Sequence, residues 1–335
     1  MDNILVIGGG SWGTSFANYL ATIGNEVKLW VREDEVIDSI KKTGQNSLFL
    51  PEITLSDKLL PVSRLDEEVT GSDIIFFAVP SKFIRHTFES LRGKLSGKTL
   101  ISLSKGFESS SLKTISRVAS DVLGDEVLRN WITISGPSFA RELAANFPTA
   151  IVAASENAEI SQKIQEQFSS PILRIYRSDD LIGIEVAGSM KNIMAIASGI
   201  INGLGYGYNT TASLVTRASI EISRIGLRLG ANRETFWGLA GIGDLMLTSF
   251  GPLSRNFQLG VKIAKGGKLR EIEKQSITVA EGVETTKAIK RLAEDLDIEM
   301  PISEKVYEIL FEGKDPAIAL KELMRRSLKV EWNID

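Results

Sequence analysis

The chain has 335 residues, a formal net charge of −3, one histidine and no cysteine. That length exceeds what one hydrophobic core usually organises, so two domains are expected. The charge gives no case for a nucleic-acid partner, and the missing cysteines exclude disulfide and thiolate chemistry.

The N-terminus enters a strand at once: MDNILVIG has no basic leader and no long apolar region, which points to a cytoplasmic protein. The first half alternates strand and helix. NILVIG is followed by the helix SWGTSFANYLATIG, then by the strand EVKLW and an irregular segment containing Pro51 and Pro61. SDIIFFAVP reads as a strand buried on both faces, and KTLISLS, WITISG and TAIVAAS are further strands. Helical segments such as KFIRHTFESLRGKL and SLKTISRVASDVL separate them. This alternation predicts an α/β domain over residues 1–178, an N-terminal Rossmann-type, doubly wound and mostly parallel sheet. From Asp179 onward apolar residues repeat at helical spacing, predicting an all-helical C-terminal domain over 179–335. The apolar helix from about Leu181 to Leu204 carries Glu185 and Lys191, which argues against a membrane span.

Four motifs stand out. Gly8-Gly9-Gly10-Ser11-Trp12-Gly13 has the GxGxxG form between the first strand and the first helix, the context in which glycines let a backbone approach a pyrophosphate. The bland alternative is a tight turn with no ligand. At the end of the second strand, Arg32 favours the 2′-phosphate of NADP, whereas Glu33 beside it would repel a phosphate. NAD(P)H is the expected cofactor, with a lean to NADP. Lys105 of LISLSKGFE stands at the C-terminal end of a strand, and ISGPSFARE follows another; Gly136 and Pro137 force a turn, and Ser138 is a candidate cap for the next helix. In GLAGIGDLMLTSFGPLSRNFQLG, Asp244 follows glycines, and Ser254-Arg255-Asn256 could bind an anion at a helix start or merely cap it.

Within EVAGSMKNIMAIASGI, Lys191 and Asn192 interrupt an apolar helix, where an unpaired charge is costly. His86, the single histidine, reads as a surface or structural residue. Proton transfer therefore falls to Lys, Asp, Glu or Tyr. No metal site is expected.

Together these residues are recognisable. From GGGSWGTSFA through SKGFE, SGPSFARE, EVAGSMKNIMAIASGI and GLAGIGDL to SRN and VAEGVET, the sequence resembles the bacterial NAD(P)-dependent glycerol-3-phosphate dehydrogenases nearly end to end. The resemblance implies reversible reduction of dihydroxyacetone phosphate to sn-glycerol 3-phosphate, the supply reaction for glycerophospholipid synthesis. It implies that Gly8, Gly10, Ser11, Trp12, Gly13, Arg32, Phe49, Lys105, Ala140, Arg255, Val279 and Glu281 contact the dinucleotide. It implies Lys191 as the catalytic acid/base. Lys105, Gly136, Ser138, Lys191, Asn192, Asp244, Ser254, Arg255 and Asn256 would contact substrate. Glu33 departs from the basic or neutral residue many members carry and weakens the NADP assignment. A β-hydroxyacid-type dehydrogenase of similar architecture is one alternative, and a non-catalytic dinucleotide-binding regulator is another. A homodimer is the expected assembly.

Overall fold

The computed structural model describes residues 2–275, 280–328, 330 and 331. Its strands are β1 (Ile4–Ile7), β2 (Val27–Trp30), β3 (Leu59–Val62), β4 (Ile74–Phe77), β5 (Thr99–Ser102), β6 (Phe107–Glu108), β7 (Lys113–Thr114), β8 (Trp131–Ser135), β9 (Thr149–Ala154) and β10 (Leu173–Ser178). Eight of them form one sheet in the order β10-β9-β8-β5-β4-β1-β2-β3. All pairings in it are parallel except β8 with β9, so β9 and β10 run against the others. β1 (ILVI) and β4 (IIFF) are buried along their whole length, as central strands covered on both faces must be. The strand order reverses between β1 and β4, and in open α/β sheets ligands bind outside the carboxyl ends at such a point.

The chain forms two compact units. The first comprises residues 1–104 and 115–181, and the second comprises 105–114 and 182–335. This corrects a simple division near residue 178. A ten-residue excursion after β5, containing the β6–β7 hairpin, belongs with the helices. Phe107 of that hairpin is fully buried in the helical unit's apolar core, beside residues such as Met190, Ile193 and Ile289. Burial of the ring, which is worth about 1.5–3 kcal/mol, holds the excursion there. Lys105 is therefore a residue of the helical unit and lies beyond the end of β5, not at it.

The helical unit is built around Leu181–Gly203, a helix buried over nearly all its length. By length and composition it could cross a membrane; here it is the core of a helical cluster. Among the described residues no strand follows β10.

Candidate active site

In the first unit, the turn after β1 leads directly into the helix Ser11–Thr22. The three glycines of GxGxxG differ in what forces them. Gly8 has φ +123°, and a Cβ there would lie 2.5 Å from the Ala78 carbonyl at the end of β4. A Cβ on Gly13 would strike the Gly8 carbonyl, so this glycine lets the helix start close to the strand. Gly10 meets no protein atom within 4 Å; the loop itself does not need it bare. The middle glycine thus leaves backbone accessible, as close approach of a pyrophosphate requires. The residues present fit a dinucleotide.

Buried Asn46 locks this loop. Its Nδ2 donates to the Gly9 carbonyl and to Thr14 Oγ1, both at 2.8 Å, and its Oδ1 accepts from the Phe49 amide at 3.1 Å. Ser11 Oγ donates to the Phe49 carbonyl at 2.6 Å, so Ser11 and Phe49 are held together. Trp12 packs on Phe16, and its indole Nε1 is buried with no partner among the described residues. Arg32 is mostly exposed and donates from Nε and Nη2 to one oxygen of Glu33, at 3.0 and 2.6 Å. Its guanidinium lies 6.0 Å from the centre of the Phe83 ring, which also carries Lys82 at 4.7 Å.

Gly136 follows β8 with φ +139°. Ser138 does not cap the next helix: Phe139 occupies the N-cap of Ala140–Ala144, and Ser138 Oγ donates back to the Gly136 carbonyl at 2.9 Å. Ala140 is tied to the glycine-loop helix, since its carbonyl accepts from Ser15 Oγ at 2.7 Å.

In the second unit the charged residues converge. Asp244 opens the helix Asp244–Phe250 after a wide helical turn, Leu239–Gly243, and is fully buried. One carboxylate oxygen accepts from Lys105 Nζ at 2.7 Å, and the other accepts from Lys191 Nζ. Lys191 also donates to Thr248 Oγ1 at 2.9 Å, one turn after Asp244 on the same helix face. The cluster holds two cations and one anion away from water, with Lys105 and Lys191 side chains 14% and 11% exposed. A buried net positive charge of this kind favours an anionic ligand or a developing oxyanion.

The titrations follow from this arrangement. Burial pushes the Lys191 ammonium down from the usual lysine range to about 8; Asp244 resists the descent and Lys105 adds to it. Burial alone would raise the Asp244 carboxyl, but the two ammoniums outweigh it and hold it below the usual carboxylate range. Burial raises Glu281, against the pull of Arg255, Lys105 and Lys191.

Lys105 is aimed by the hairpin. Gly106 N–H donates to Ser189 Oγ at 2.8 Å, and Ser189 donates to the Glu185 carbonyl one turn back on the central helix. Asn192, next to Lys191, accepts from Asn256 Nδ2 at 3.0 Å. Ser254 caps the helix Arg255–Ala264 by accepting from the Phe257 amide, while Arg255 is exposed at that helix's start. Val279 lies outside the described residues.

Two groups of the expected residues meet within the helical unit: Lys105, Lys191 and Asp244 touch, and Asn192 and Asn256 touch. The sequence reading missed Thr248 and Asn46. The DxxxT spacing on a helix could have revealed the first, and the asparagine opening NSLFLP the second.

A nucleotide-binding parallel sheet with its glycine turn, followed by helices holding a buried lysine–aspartate cluster, defines an NAD(P)-dependent oxidoreductase. Comparison with known proteins narrows the class. Residues 3–161 match the model for the N-terminus of NAD-dependent glycerol-3-phosphate dehydrogenase, and residues 180–321 match that for its C-terminus. Glycerol-3-phosphate dehydrogenase [NAD(P)+] of Syntrophotalea carbinolica is 44% identical, covering 99% of this chain and 100% of the relative. The Geobacter sulfurreducens enzyme of the same name is 45% identical over 98% and 99%. Among solved structures, glycerol-3-phosphate dehydrogenase from Coxiella burnetii aligns with a TM-score of 0.92 at 35% identity, covering 97% of this chain and 99% of that one. The chain belongs to the NAD-dependent glycerol-3-phosphate dehydrogenase family.

Proposed function

We propose that the enzyme interconverts dihydroxyacetone phosphate and sn-glycerol 3-phosphate with Lys191 as the acid/base. The observation that carries this is the Lys105–Asp244–Lys191 cluster, in a chain whose single histidine is an exposed residue outside it. Bound reduced nicotinamide supplies the hydride.

The protein's own part is electrostatic and protonic. As C2 of the ketone is reduced, its oxygen gains charge. The Lys191 ammonium donates a proton to that oxygen, and Lys105 keeps a second positive charge at the cluster. In the oxidative direction the neutral Lys191 amine accepts the proton. Asp244 stays ionised and, with Thr248, orients the ammonium. Asn192, Ser254, Arg255 and Asn256 are the helical unit's candidate contacts to substrate, and Gly136 and Ser138 are candidate contacts in the sheet unit. Ser11, Trp12, Arg32, Phe49 and Ala140 hold the dinucleotide, with Lys105, Arg255, Val279 and Glu281 supplying the remaining contacts. The sheet unit is then the dinucleotide-binding domain and the helical unit the substrate and catalytic domain. A cytoplasmic, homodimeric enzyme supplying glycerophospholipid synthesis completes the reading.

The test is loss of the reduced-nicotinamide absorbance when purified protein meets dihydroxyacetone phosphate, with NADH and NADPH run in parallel. Rapid substrate-dependent loss with either is expected. Tight cofactor binding without turnover would overturn the proposal.

A further inference from the structure

Lys105 reaches Asp244 from beside a joint at which the chain can turn. Its neighbour Gly106 has φ +139°, a conformation open to glycine and rarely to other residues. Beyond the joint, Phe107 is anchored in the apolar core, so the hairpin is fixed from that ring onward. This anchor does not by itself fix Lys105, because rotation at a glycine lets the preceding peptide turn while the following ring stays buried. One contact removes the freedom. The Gly106 N–H donates to Ser189 Oγ at 2.8 Å. That N–H lies in the peptide plane that also carries the Lys105 carbonyl and Cα. Holding it holds the backbone from which the Lys105 side chain departs.

The hydroxyl is itself held. Ser189 is 1% exposed, and its O–H donates to the Glu185 carbonyl at 2.6 Å, one turn back on the helix Leu181–Gly203. With the proton committed there, the lone pairs are left for Gly106, whose N–H can only donate. Ser189 stands two residues before Lys191, and side chains so spaced leave a helix in different directions. One helix thus grips the backbone of Lys105 on one side and presents Lys191 on another, and both ammoniums end on the Asp244 carboxylate.

We infer that Ser189 is a positioning residue for Lys105: it locks the glycine joint, so that Lys105 stays bonded to Asp244 and its charge stays beside Lys191. This deepens the proposed function and rests on it. Displacement of Lys105 would act on Lys191 with one sign. Asp244 and Glu281 favour the Lys191 ammonium, Lys105 opposes it, and Arg255 faces Glu281. A Lys105 that swings away takes its opposition with it and leaves Asp244 to Lys191, so both changes raise the pH at which Lys191 gives up its proton.

The test is the pH profile of NADH oxidation by dihydroxyacetone phosphate, read in single turnover so that slow variants still report. Thermal unfolding is recorded for each variant. Ser189→Ala leaves the buried Gly106 N–H without its acceptor and should slow the step about tenfold. Its alkaline limb should move above the wild-type position near 8. Lys105→Met should move the limb the same way, and Ser189→Ala added to it should move the limb no further. A limb that stays in place in Ser189→Ala, whatever happens to Tm, makes the serine a structural residue and overturns the inference. So does a further movement in the double variant, because Ser189 would then act on Lys191 without Lys105. Absence of turnover in the wild type, or an alkaline limb that survives in Lys191→Ala, would instead sink the proposed function.

Discussion

Lys191 sits between an anion that favours its charged form and a cation and a dry environment that oppose it. With burial dominant and its titration near 8, both protonation states are populated at working pH. Reduction of the ketone uses the ammonium, so kcat in that direction should fall as pH rises through about 8. Oxidation of glycerol 3-phosphate uses the free amine and should gain over the same interval. A pH–rate profile in both directions checks the mirror relation. Lys191→Ala should lower kcat by roughly 10²- to 10⁴-fold, the usual reach of a positioned acid/base. Asp244→Asn removes the anion bonded to both ammoniums and leaves them facing each other, so the limb should move below its wild-type position. A second residue-scale prediction concerns Glu33. Its carboxylate holds Arg32 through two hydrogen bonds and would repel a 2′-phosphate. Glu33→Gln should tighten NADPH relative to NADH severalfold, read as Kd by fluorescence titration. The sequence alone could not settle this pair. Neighbours on a strand point to opposite faces, but Arg32 lies past the end of β2 and Glu33 is the N-cap of Asp34–Thr43, where the chain turns. Lys191 was legible, because a lysine in an apolar helix is expensive. Asn256 as a link between helices was not, since its partners lie far away in sequence.

At the scale of elements, the strands buried on both faces announced themselves as apolar runs, and edge strands did not. β3 contains Pro61, which only an edge position tolerates readily, and so it looked irregular. β10 is the opposite edge: Leu173 and Ile175 are buried while Arg174 and Tyr176 are exposed. That alternation is present in the sequence but is short beside the apolar helix that follows. The β6–β7 hairpin has two residues in each strand and no periodicity to read. One helix contact carries its own prediction. Glu221, buried on the helix Tyr208–Arg228, accepts from the amides of Ile302 and Ser303 at 2.6 and 3.2 Å and from Ser303 Oγ at 3.1 Å. It thereby closes the start of the helix Pro301–Phe311. Burial raises its carboxyl to about 7, against those donors and Arg224. The folded state then holds a proton that the unfolded chain has released. This contribution to stability is full below the ordinary glutamate value and is lost as pH rises through about 7. The Tm difference between wild type and Glu221→Gln should shift in the variant's favour over that interval; a pH-independent difference would contradict it.

At the scale of the whole molecule, each unit has its own apolar core, one around Phe16, Phe76 and Phe168 and one around Met190, Ile193 and Ile289. The chain passes from one unit to the other at 104/105, 114/115 and 181/182. A fragment ending at Ser178 should therefore leave Phe107 without its partners. Limited proteolysis should cut within 105–114 in that fragment and spare the segment in the full chain.

The same routing imposes an order in time. During synthesis, the segment carrying Lys105 emerges long before the residues that receive it. Ser109 donates to Glu284, and Arg291 donates to the Ser109 carbonyl, so both anchors arrive only when the helix Glu281–Asp295 is made. Until then the nascent chain carries an unfinished loop and, once residue 203 is made, a long apolar helix, Leu181–Gly203, waiting for its cover. The lysine–aspartate cluster is thus among the last things to form, and a nascent chain stalled before residue 281 should hold cofactor-binding sequence without an assembled proton-transfer centre.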